Sequence, residues 1–87
     1  MKPKSIDQRI RCYDNGGQTC DRWTVLYLDD KEGVGMYGCV GMSEHPFDPQ
    51  GVGQHSTAQI GRHLGKRIRF ADLPEDCQKL VRQDLKG

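Results

Sequence analysis

No stretch of this sequence approaches the roughly 20 consecutive apolar residues that a membrane-spanning helix needs. The opening Met1-Lys2-Pro3-Lys4 has no apolar run behind it, so neither a secretory leader nor membrane insertion is expected. No two cysteines stand at C-x-x-C spacing, which removes the usual zinc-knuckle and thiol-redox patterns. Excess charge is missing as well. Thirteen Lys and Arg face twelve Asp and Glu, a net of +1. That balance excludes an acidic DNA mimic and a strongly basic chromatin-type binder, and it argues against a large nucleic-acid footprint. Apolar residues are only 34% of 87. A chain of this size forms one domain, residues 1–87, and buries only about 60% of its unfolded surface. So thin a core favours assembly of two or more copies.

The four cysteines are Cys12, Cys20, Cys39 and Cys77. With no leader, a reducing compartment, the cytoplasm, is expected, and free thiols with it. Cys12 and Cys77 read as small core residues. Cys39, His45, His55 and His63 carry metal-ligand chemistry, but their spacing matches no zinc pattern. No metal and no cofactor is expected.

Residues 1–5 are polar and expected to fray. From Ile6 to Tyr13 apolar and polar residues alternate, which predicts a strand with Ile10 and Cys12 on one face and Arg11 and Tyr13 on the other. Asn15-Gly16 is a hairpin signal. Arg22–Leu28 has apolar residues on both faces and reads as a central strand. Asp29–Gly33 reads as a charged turn, and Met36–Met42 as a third strand loosened by Gly38 and Gly41. Residues 43–57 follow no period and read as a long ordered loop. Alternation returns over 61–70, with Leu64, Ile68 and Phe70 facing in. Asp72, Pro74 and Glu75 announce a helix start, and Leu73, Cys77, Leu80, Val81 and Leu85 form its apolar stripe. The fold class is therefore α+β: a small, mostly antiparallel sheet of about four strands with one C-terminal helix packed on it.

Tyr13-Asp14-Asn15-Gly16-Gly17, followed by Asp21-Arg22-Trp23-Thr24-Val25, resembles a family of small uncharacterised proteins of tailed bacteriophages and plasmids. The similarity runs through Gly41-Met42-Ser43, Pro49-Gln50-Gly51-Val52-Gly53-Gln54-His55, Leu64-Gly65-Lys66-Arg67-Ile68 and Leu73-Pro74 to Leu85. It covers most of the chain from Arg11 onward. Trp23 stands where such relatives have Tyr. These motifs identify relatives but carry no assigned chemistry. The resemblance implies a phage or mobile-element accessory protein acting in the cytoplasm of a bacterial host. By analogy of context, it implies action against host defence.

Two segments carry binding chemistry. In the loop, Gly51 and Gly53 let backbone N–H groups approach an anion. His45 and His55 can donate to phosphate, Gln54 can read a base edge, and Phe47 offers a stacking face. Arg62, Lys66 and Arg67 then supply cations from a segment free of acidic residues. Arg9, Arg11, Arg67 and Arg69 would crowd one sheet face if the flanking strands pair. Together these residues predict a non-enzymatic binder of a small phosphorylated ligand, such as a cyclic nucleotide signal. The alternatives are a protein–protein inhibitor or adaptor of a host enzyme, then nucleic-acid binding, then a small metal-dependent hydrolase. Cys39 with His45 or His55 and Asp48 can be written as a catalytic set, but no spacing supports it. No catalytic residue is assigned.

Overall fold

A computed structural model describes residues 5–86. The expected fraying at 1–4 falls outside that range. Ser5 lies within it and starts a single helical turn, α1 (Ile6–Arg9). The Ser5 N–H donates to Gln8 Oε1 at 2.9 Å, and the Gln8 N–H donates to the Ser5 carbonyl at 3.0 Å. This reciprocal cap, a serine with Gln three places on, corrects the strand expected from Ile6. Strand β1 begins only at Ile10 (Ile10–Asp14).

The other strands are β2 (Trp23–Gly33), β3 (Met36–Met42), β4 (Gly53–Gln59) and β5 (Lys66–Ile68). One-turn 3-10 helices at Arg62–Leu64 and Phe70–Asp72 flank β5, and α2 (Glu75–Lys86) closes the chain. The sheet order is β4-β3-β2-β1-β5, with every neighbouring pair antiparallel. This is the expected α+β architecture with one strand more.

The extra strand is β4, which begins inside the expected loop 43–57 and runs two residues past it, to Gln59. Its seven residues pair along their whole length, from Met42↔Gly53 to Met36↔Gln59. Its side chains are nearly all exposed. An edge strand with no buried face has no hydrophobic alternation to betray it. The charged turn at 29–33 is likewise a continuation of β2. The reversal falls at Val34-Gly35, where Gly35 takes φ +72°.

Ile10, Cys12, Val25, Tyr27, Val40 and Met42 share one sheet face and meet Phe70, Leu73, Cys77 and Val81. Leu80 and Leu85 pack on the margin, as the helical stripe predicts. Acidic Glu75 and Asp76 in the first turn of α2, and Lys86 in the last, match the helix dipole. The opposite sheet face buries Tyr13, Leu26 and Cys39 under Leu64. Leu64 reaches them because residues 60–65 join the two edge strands. The centre of the sheet is therefore covered on both sides, and chemistry is left to its edges.

Candidate functional site

β5 pairs with β1 over only three positions, ending at Cys12↔Ile68. Beyond that pair the chain turns into the 3-10 helix at 70–72, and a cleft of about 590 Å³ opens between the diverging strands. Arg11, Lys66, Arg67 and Arg69 line it, with Asp7 and Asp72 at its rim and Ile10, Cys12 and Ile68 at its floor. The ladder explains the arrangement. Arg11 stands opposite Leu26, and Arg67 opposite Tyr13, so both occupy the face away from α2.

Both carboxylates already have work within the fold. Asp7 Oδ1 accepts the Phe70 N–H at 2.8 Å. Asp72 Oδ2 accepts the Arg69 N–H at 3.0 Å and lies 4.0 Å from Arg69 Nε. Among the described residues, Arg11, Lys66 and Arg67 form no ion pair. Arg11 Nε is buried and has no hydrogen-bond partner among the described residues. A buried donor without a partner is costly, so this N–H favours an incoming acceptor. The Cys12 thiol at the floor is pushed up to about 12, first by burial and then by the charge of Asp7. It therefore stays protonated and is no nucleophile. The cleft can hold an anion by charge and N–H donation.

Arg9 is not part of this cleft. Its Nε lies 3.3 Å from Asp29 Oδ2 at the far end of β2. The expected crowding of four arginines is thus reduced to Arg11, Arg67 and Arg69.

The histidines of the 43–57 segment go elsewhere. His55 Nε2 lies 2.8 Å from Asp84 Oδ2 on α2, and the Tyr27 hydroxyl donates to the same oxygen. Burial, then the Asp84 hydrogen bond and charge, hold the Tyr27 phenol well above its ordinary range. His45 Nδ1 faces Asp76 Oδ2 at 3.5 Å. Both histidines thus tie the sheet edge to α2. Gly51 is required by a turn: a Cβ there would strike the His45 carbonyl. The Gly51 N–H donates to the Asp48 carbonyl at 2.8 Å, so it does not point into a nest. Gly53 packs on Pro46 and Leu80, and Phe47 is exposed. Gln54 pairs with Gly41 on the sheet face opposite His55. Arg62 is exposed in its 3-10 turn.

Within one chain the structure therefore brings Lys66 and Arg67 together, and leaves His45, His55, Gln54 and Phe47 apart from them. Arg11 and Arg69, left out of the predicted set, complete the cleft. The like-charge argument across paired strands had pointed to both. Cys39 Sγ lies 3.4 Å from Ser56 Oγ, on the face away from His55, so no thiol–imidazole pair forms. All four cysteines are free. Among the described residues, no group of three or more His, Cys, Asp or Glu is placed to hold a metal ion. Among the described residues, no helix is long and apolar enough to cross a membrane.

Comparison with protein-family models, with curated proteins and with solved structures gives no match.

Proposed function

We propose that this protein binds a small phosphorylated ligand without transforming it, using the cleft of Arg11, Lys66, Arg67 and Arg69. The observation that carries the reading is the buried Arg11 Nε, without a partner among the described residues, beside Lys66 and Arg67, which form no ion pair among those residues. Guanidinium forks match phosphate oxygens in geometry and charge. The floor formed by Ile10, Cys12 and Ile68 suits the less polar part of a nucleotide. In the phage or plasmid setting implied by the sequence resemblance, the ligand is a nucleotide signal of the bacterial host, and its sequestration is the function.

Thermal shift against a panel of nucleotides, cyclic nucleotides and inorganic pyrophosphate tests this. A ligand at 100 times its dissociation constant adds about 2.7 kcal/mol of stability. Arg11→Met is expected to remove the shift while keeping the fold. A panel without any shift, or an undiminished shift in Arg11→Met, would overturn the reading and favour a protein target.

A further inference from the structure

β4 and β5 are the two edges of the sheet, and each leaves a row of backbone N–H and C=O groups unpaired by the sheet. Natural edges are blunted by shortness, charge or proline. β5 is short and charged: its three residues present Lys66 and Arg67, which repel a second β5 edge but suit an edge backed by carboxylates. β4 is not. Its seven residues include no Lys, Arg, Asp, Glu or Pro.

Behind β4 the surface is negative. Gly38 on β3 stands opposite Thr57, and Asp30 leans over it from β2. A Cβ on Gly38 would collide with the Asp30 carboxylate, so the glycine makes room for the charge. That carboxylate lies about 4.8 Å, one strand spacing, inside the edge. The Asp30 carboxyl holds the neighbouring Glu32 carboxyl above the usual range. The two carboxyls share a hollow of about 340 Å³ with His55 and Thr57. A cation beside Thr57 would relieve their repulsion. The chain carries such a cation on its other edge: Lys66, opposite Asp14, lies on the same sheet face as Asp30.

We infer that the β5 edge of one copy pairs with the β4 edge of the next, head to tail, with Lys66 of one reaching Asp30 and Glu32 of the other. The contact is heterologous, so it closes into a ring or extends into a filament. It also deepens the proposed function, on which this part rests. The joint carries Gln54 and His55 of one copy to the side of Lys66 and Arg67 of another. The Gly/His/Gln segment and the basic segment, kept on opposite edges within a chain, meet between chains.

The test is complementation read by native mass spectrometry. Thr57→Lys blocks β4, and Lys66→Glu blocks β5. The native protein is expected as an assembly, each variant alone as a single chain, and their equimolar mixture as a pair containing one of each. Circular dichroism establishes that each variant is folded, and Thr57→Arg with Lys66→Ser replaces any that is not. A native protein that stays single overturns the inference. So does a Lys66→Glu variant that still assembles, because β4 would then pair with itself. Pyrophosphate binding is measured on the same samples. An assembly that ignores pyrophosphate sinks the ligand reading and leaves the joint standing; a single chain that binds it does the reverse.

Discussion

Arg11 shows how a residue acquires a role that its neighbours do not share. Four arginines lie on the flanking segments, yet each meets a different fate. Arg9 meets Asp29, and Arg69 bonds through its backbone to Asp72. Among the described residues, only Arg11 is left with a buried, unpartnered Nε. Alternation would put Arg9 and Arg11 on one face; they separate because α1 ends at Arg9 and the strand starts at Ile10. The cysteines divide just as sharply. Cys12 and Cys77 are buried, with thiols raised to about 12 mainly by desolvation. Cys20 is exposed. A colourimetric thiol reagent at pH 8 is expected to label Cys20 rapidly in the native protein, and Cys12 and Cys77 only after denaturation. Fast labelling of Cys12 would mean that the cleft floor opens. Gly65 is a backbone requirement, with φ +108° and no space for a Cβ beside the Asp14 carbonyl. Gly65→Ala is expected to cost about 1–3 kcal/mol. At this size a melting temperature falls by about 4–8 °C per kcal/mol, which calorimetry resolves.

Among the elements, the hairpin between β1 and β2 is held by a two-point ion pair. Arg22 Nε and Nη2 reach Asp14 Oδ1 and Oδ2 at 2.8 and 3.1 Å. Arg22 holds the Asp14 carboxyl below its ordinary value of 3.8. A carboxyl depressed in the folded state stabilises at neutral pH, and that contribution disappears as pH falls below 3.8 through the lower folded value. Asp14→Asn is therefore expected to lower stability at pH 7 and to flatten the acid limb of a stability–pH curve. An unchanged acid limb would show that the pair contributes nothing.

The last turn of α2 depends on Asp84, which accepts from buried Tyr27 and from His55. Asp84→Leu leaves the Tyr27 hydroxyl without its partner, at an expected cost of about 1–3 kcal/mol. Adding Tyr27→Phe removes the orphan and is expected to restore part of the loss. Urea unfolding of the single and double variants measures both.

The elements legible in the sequence were those with a buried face. β1, the first part of β2, β3 and α2 each bury an alternating or helical apolar row, and their periods show it. β4 buries almost nothing, so its strand character comes from β3 alone. The one-turn α1 depends on a serine–glutamine cap too local to break an alternating pattern. The site was legible by half for a related reason. Composition marks Lys66 and Arg67 as cations, but their sharing of a cleft with Arg11 depends on the β1–β5 pairing. That pairing joins residues far apart in the chain.

At the scale of the whole molecule, the net charge of +1 conceals a separation. Cations gather at the β5 edge, and carboxyls stand behind the β4 edge. The cationic cleft is the part on which the proposed ligand binding depends. The measurement that tests it most directly is a titration of the nitrogen-15-labelled protein with sodium pyrophosphate at constant ionic strength, following arginine Nε–H signals by NMR. The account predicts a saturable shift of the Arg11 Nε–H signal, accompanied by the backbone amides of Lys66, Arg67 and Arg69. An Arg11 signal that stays in place, with changes scattered over exposed lysines and arginines, would contradict it.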